Sequence, residues 1–162
     1  MSESGEDSDS KSGSTVRPVG ISVSRDTGTK VDIILRTGGL RKRHSIFLAL
    51  ANAFKKPSHP SKLCENAVIN EFNLTQFSLK FSIDVRTESK KKRKGNANRV
   101  ETYTCHIRRF PSRVNPDSVS FEVLEPASGN CFILMTVMKV DGFDVNWKEF
   151  QDRNGTIDAS TV

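Results

Sequence analysis

Lys90, Lys91, Lys92, Arg93 and Lys94 follow one another without a break inside ESKKKRKGNANR, residues 88–99. Their chemistry is electrostatic. Five clustered cations can contact several phosphates at once, and the release of counterions makes such binding fall steeply with salt. Near an anionic bilayer each base adds about 1 kcal/mol. The same run followed by Gly95 matches the simplest nuclear-import pattern. Arg99, Arg108 and Arg109 extend the charge in sequence. A second group, Arg41, Lys42 and Arg43, stands just before an expected helix N-terminus, where the macrodipole disfavours cations. That placement suggests a use other than helix stability, or, where salt screens the penalty, only a solvated surface. No base-reading geometry is visible, so sequence-specific recognition is not supported. Three readings of Lys90–Lys94 stay open: a phosphate-gripping arm, an import signal, or a solvated hairpin tip.

Other reactive residue types lack the company that chemistry needs. The chain has no phosphate loop ending in Lys-Ser/Thr, no GxSxG, no HExxH and no paired CxxC. Cys105 and His106 are adjacent on an expected strand, so they face opposite ways and cannot share a metal or act as nucleophile and base. His59 and Cys64 lack further ligands at zinc-site spacing. Cys131 opens the most apolar segment and reads as a small buried hydrophobe. The ten Phe fall mostly at inward positions, which favours core packing over stacking on bases. No enzyme and no cofactor are expected.

The chain that must position these residues has 162 residues, 35% apolar and 27% charged, enough for one domain and a tail. Residues 1–10 hold four acids and no base, so residues 11–162 set 25 bases against 15 acids. Residues 86–113 alone hold ten bases and two acids, which calls for an anionic partner. No apolar run approaches the ~20 residues that cross a bilayer. The acidic, Ser-rich start is unlike a signal peptide. Three cysteines suit a reducing compartment, cytosolic or nuclear, which leaves the sequons at Asn73 and Asn154 without meaning.

Residues 1–16 are too polar to collapse and are expected to be a disordered tail. Ser2, Ser4 and Ser8 lie among acids and are candidate phosphorylation sites, whose added charge would compete for the basic block. The other reading is a solubilising tail. Residues 17–152 are expected to form one α+β domain. Val19, Ile21 and Val23, then Val31, Ile33 and Leu35, alternate with polar neighbours and read as two paired strands, the second ended by Thr37-Gly38-Gly39. Ser45 caps a main helix whose stripe is Ile46, Phe47, Leu50, Ala53 and Phe54, with Pro57 stopping it. Residues 63–72 read as a shorter second helix.

Strands follow. Phe77, Leu79, Phe81, Ile83 and Val85 share one face, then Tyr103, Cys105 and Ile107, then Val119, Phe121 and Val123. CFILMTVMKV is apolar on both faces, as in a central strand. Phe143, Trp147 and Phe150 suit a closing helix, and residues 153–162 are expected to fray. The whole reads as an antiparallel sheet packed with one main helix and one or two shorter ones. Residues 87–98 then join the two best strands as a solvated basic loop, since five buried cations have nothing to neutralise them.

The order of segments resembles a family. KVDIILRTGGLRKRHSIFLALANAF (residues 30–54) resembles the early strand, polar turn and first helix of rhabdovirus matrix proteins, and FNLTQFSLKFSIDVRTES (72–89) is similar to a later strand of them. The resemblance implies a structural protein that binds itself, condenses the RNA nucleocapsid and links it to the anionic membrane and the glycoprotein tail. Virion and membrane-associated host cytoplasm are the implied locations. The nucleus is the other, through an import receptor. Animal members of the family tend to have a Lys-rich N-terminus and a PPxY motif. Here the N-terminus is acidic and the only early proline is Pro18, which puts recruitment of budding machinery in doubt. A compact matrix protein of a plant-infecting rhabdovirus accommodates these departures, with Lys90–Lys94, Arg41, Lys42, Arg43 and Arg99 carrying the anion binding. The first rival reading is a nuclear nucleic-acid-binding or silencing-suppressor protein, and the second is a protein-interaction adaptor whose acidic tail is the regulated part.

Overall fold

The computed structural model describes residues 15–44, 55–88 and 98–162. The expected helix of residues 46–54, Lys90–Lys94, and Ser2, Ser4 and Ser8 lie outside the described residues. The strands are β1 (Val16–Pro18), β2 (Gly20–Asp26), β3 (Lys30–Arg36), β4 (Ala67–Leu74), β5 (Leu79–Glu88), β6 (Asn98–Ile107), β7 (Val114–Leu124) and β8 (Phe132–Lys139). Helix α1 (Trp147–Asn154) and a 3-10 turn (Ala159–Thr161) follow. Val16, assigned by sequence to the tail, is the first residue of β1.

In place of one sheet there are two four-stranded sheets, ordered β1-β6-β5-β4 and β2-β3-β8-β7. The protein is sheet-dominated. All pairings are antiparallel except β1 with β6. The switch between sheets occurs at Val19. Pro18 has no N–H to donate, Val19 N–H makes a last bond to Thr104 O at 2.9 Å, and Gly20 already pairs with Arg36 in the other sheet.

The two inner faces form one core. Val31, Ile33 and Leu35 from β3 meet Leu79, Phe81, Ile83 and Val85 from β5, while β7 adds Phe121 and β8 adds Ile133, Met135 and Val137. The period-2 patterns read from the sequence are these inward positions. Each such burial contributes roughly 1.5–3 kcal/mol relative to exposure. Phe72 meets Phe81 and Phe121 edge-on, at 6.5 and 5.2 Å between ring centroids, and so joins the two sheets. Phe77 is the exception among the alternating residues: it precedes β5 in a turn and is 52% exposed.

The second helix expected over 63–72 is corrected to β4. Its inward residues are Ala67, Ile69, Phe72 and Leu74, and the pairing with β5 skips a residue between Ile69 and Glu71. That bulge at Asn70 turns the spacing of 2 into a spacing of 3 between Ile69 and Phe72, which imitates a helical stripe. The end of the chain is corrected too. Gly155 closes α1 with φ of 74°, Ile157 is buried, and Asp158 accepts backbone N–H bonds from Arg108 and Arg109, both at 3.2 Å. Residues 153–162 are therefore docked, not frayed.

Helix α1 lies along β2, an edge strand. The Gln151 amide accepts from Val23 N–H at 2.8 Å and donates to Ile21 O at 2.9 Å, so one side chain occupies the strand's outward backbone groups. No helix among the described residues is long and apolar enough to cross a membrane.

Candidate anion-binding end of the sandwich

The basic residues come together through a turn that only glycine permits. A Cβ at Gly39 would stand 2.5 Å from Thr87 Cγ2, and one at Gly38 would stand 2.7 Å from Tyr103 Oη. Gly39 also has φ of 74°. Thr37-Gly38-Gly39 therefore lies flat against β5 and β6, and the chain beyond it runs beside the end of the β5–β6 hairpin.

Asn66 holds that arrangement. Its Oδ1 accepts from Arg41 N–H at 2.8 Å, and its Nδ2 donates to Gly39 O at 2.7 Å and Arg86 O at 2.9 Å. Its backbone carbonyl accepts from Arg86 N–H at 2.8 Å. Residues 41–43 then run antiparallel to 63–65, with Arg43 N–H bonded to Leu63 O and Glu65 N–H to Arg41 O, both at 3.0 Å.

Arg41, Lys42 and Arg43 thus share one end of the molecule with Arg86 and Arg99. On β5 and β6, Arg86 pairs with Val100 and Thr87 with Arg99, one step from the last pair, Glu88 with Asn98. The segment carrying Lys90–Lys94 leaves from this pair.

The charges at this end do not cancel. Glu101 is shared by Arg17 and Arg99, each at 3.6 Å, and it accepts the Tyr103 hydroxyl at 2.9 Å. Arg41 meets Glu65 at 3.6 Å with both side chains half-exposed. Six bases (Arg17, Arg41, Lys42, Arg43, Arg86 and Arg99) stand against five carboxylates (Glu65, Asp84, Glu88, Glu101 and Glu125), the last 3.4 Å from His44. The exposed Arg41–Glu65 pair contributes about 0–1 kcal/mol, so Arg41 can exchange its carboxylate for phosphate at little cost. Burial, reinforced by Glu101, raises the Tyr103 phenol above its ordinary range. The hydroxyl therefore stays a donor to Glu101.

Arg108 and Arg109, expected to join the basic group, do not. They follow Ile107 at the other end of β6, nine and ten residues from Arg99 and roughly 30 Å along an extended strand. In an antiparallel hairpin only residues near the turn approach it.

Cys64 and Cys105 are held as thiols at neutral pH. Burial, with the nearby Cys131 adding to it, pushes the Cys64 thiol up to about 12. Burial likewise pushes Cys105 up to about 12, against a hydrogen bond from the Phe81 backbone. His106 is exposed on the opposite face of β6. No group of three or more potential metal ligands exists among the described residues. A cavity of about 590 Å³ beside β1 is lined by Arg17, Lys80 and His106 but also by Glu71 and Asp158, so it has no single sign. Asn66 and Arg86 were missed by sequence reasoning. A lone Asn carries no spacing signal, although Arg86 could have been found once 87–98 was placed as a loop.

No protein-family model matches the chain, and neither does any curated protein.

Proposed function

We propose that this chain is a non-enzymatic matrix protein of the rhabdovirus kind. It self-associates, condenses the RNA nucleocapsid, and links it to the anionic membrane and the glycoprotein tail. The reading is supported above all by one observation: Asn66 gathers Arg41, Lys42, Arg43 and Arg86 beside Arg99, where the Lys90–Lys94 segment departs. A polyanion laid across this end meets two basic segments far apart in sequence. The fold class that goes with this reading is α+β. The protein resides in the virion and at membranes of the host cytoplasm.

The unbroken run Lys90–Lys94 favours a second reading, a nuclear nucleic-acid-binding or silencing-suppressor protein recognised by an import receptor. Sedimentation velocity on nuclease-treated protein, at low and near-physiological salt over a concentration series, separates the two. A matrix protein forms large, concentration-dependent species without nucleic acid. A persistent monomer or dimer at both salts overturns the matrix reading in favour of the second.

A further inference from the structure

Each sheet ends in two edge strands, and an open edge is a template for pairing with another chain. Three of the four edges are guarded. β1 has only three residues and ends in Pro18. β2 has its outward groups occupied by Gln151. β7 is interrupted by Pro116 and by a register shift between Asn115 and Ser120, and its Phe121 N–H is bonded to Pro57 O at 2.9 Å. β4 differs from all of these: it has eight residues, no proline and one charge, Glu71.

The outward groups of β4 follow from one hydrogen bond. Arg86 N–H donates to Asn66 O, so the Asn66 backbone faces β5, and successive residues of a strand face alternate sides. Val68 then faces β5, while Ala67 and Ile69 face away. The bulged Asn70 shifts the count, so beyond it Glu71 and Asn73 face β5 and Phe72 and Leu74 face away. None of the four outward residues has a backbone partner among the described residues. Their side chains are only partly buried against the core, so a further strand would complete their burial.

The bulge decides which strand fits. Outward residues at 67, 69, 72 and 74 are spaced by two, three and two, and a regular strand laid along them falls out of step. That spacing reads the same in both directions. A second copy, related by a two-fold axis, therefore matches it throughout. Ala67 meets the partner's Leu74, Ile69 meets the partner's Phe72, and the two bulges coincide with Asn70 opposite the partner's Glu71. An amide facing a carboxylate can donate to it.

We infer that two copies pair antiparallel through β4, joining two β1-β6-β5-β4 sheets into one continuous sheet. The inference rests on the self-association in the proposed function and gives it one surface. A polymer needs another surface besides.

The test is sedimentation equilibrium of the nuclease-treated full chain at near-physiological salt over a concentration series, for wild type, Asn70→Glu and the double variant Asn70→Glu with Glu71→Lys. Both side chains are exposed, so folding is not at stake. Asn70→Glu sets carboxylates against each other twice per dimer and should weaken pairing about tenfold. The double variant sets opposite charges there and should restore it. Cross-linking reads the register. Val68 lies opposite the partner's Asn73 at a non-hydrogen-bonded position, where Cα atoms are about 4.5 Å apart and a disulfide can form. A mixture of Val68→Cys and Asn73→Cys chains treated with diamide should give a linked dimer, and either variant alone should match the wild-type background.

Wild type that associates while Asn70→Glu associates equally and the mixture does not cross-link would overturn the β4 pairing and leave the matrix reading standing. A double variant no tighter than Asn70→Glu would overturn the register and with it the inference. A dimer that responds as expected but never grows larger would uphold the β4 pairing and overturn the matrix reading. Wild type that stays monomeric at every concentration would overturn both.

Discussion

Lys139 Nζ lies 2.8 Å from Asp26 Oδ2, with the two side chains 0% and 1% exposed. Both partners are otherwise satisfied. Asp26 accepts N–H bonds from Gly28 at 2.7 Å and from Trp147 at 2.8 Å, the latter at the positive start of α1. Lys139 donates to Val145 O at 2.7 Å. Burial alone would raise the Asp26 carboxyl, but the Lys139 bond and the two backbone donors outweigh it and hold the group below its ordinary value.

The pair is therefore a clamp between the β2–β3 turn, the end of β8 and the helix. Lys139→Met should lose about 3–5 kcal/mol in urea unfolding, because it strands a buried carboxylate. The folded carboxyl titrates below its unfolded value of 3.8, so its contribution is fully present above about pH 4 and is lost as pH falls through the lower folded value. Asp26→Asn should accordingly be less stable at pH 7 and have a flatter acid limb. An acid limb as steep as wild type would show that Asp26 does not drive it.

Asn66→Ala removes three side-chain hydrogen bonds at once, to Arg41, Gly39 and Arg86. The expected loss of stability is about 1–3 kcal/mol. Arg41–Arg43 should also come away from Arg86 and Arg99, so RNA affinity at low salt should drop although no charge has changed. Equal affinity in the two proteins would show that Asn66 does not assemble the basic end.

Gly39→Ala meets two penalties that can be separated. The left-handed backbone costs about 1–2 kcal/mol for any L side chain, and the Thr87 methyl adds a clash. Since the clash is with Thr87 Cγ2, Gly39→Ala with Thr87→Ser should recover only the steric part. Full recovery in the double variant, measured by thermal unfolding, would mean that the positive φ of Gly39 costs nothing.

Gln151→Ala exposes the Ile21 carbonyl and the Val23 N–H on the outer edge of β2. An uncovered edge is a template for another strand. The variant should lose about 1–2 kcal/mol and aggregate more quickly on mild heating. Light scattering that matches wild type at equal unfolded fraction would show that the edge is closed by other means.

How much of this was legible varies from element to element, for physical reasons. In β3 and β5 every buried residue is apolar and, Ile34 aside, every outward neighbour is polar or charged, so period 2 identified both strands and their core faces. At β4 a single bulged residue, Asn70, broke that period and a strand resembled a helix. The docking of Asp158 could not be read locally, since its partners Arg108 and Arg109 come from the far end of β6.

The basic end divides in the same way. Charge density alone singled out Arg41, Lys42, Arg43 and Arg99, which the structure brings to one end, because charge needs no partner to be visible; Lys90–Lys94, singled out with them, lie outside the described residues. Arg108 and Arg109 are as close to Arg99 in sequence as many of these, yet strand direction carries them away. What the amino-acid order determined is local: which strands have an apolar face, where glycine must turn the chain, and how much positive charge there is. Only the tertiary structure decided that the strands form two sheets instead of one, that Asp26 meets Lys139, and that Asn66 joins residues 39–41 to Arg86. Those contacts link residues 20 or more positions apart in the chain, and their geometry exists only after the sheets have packed.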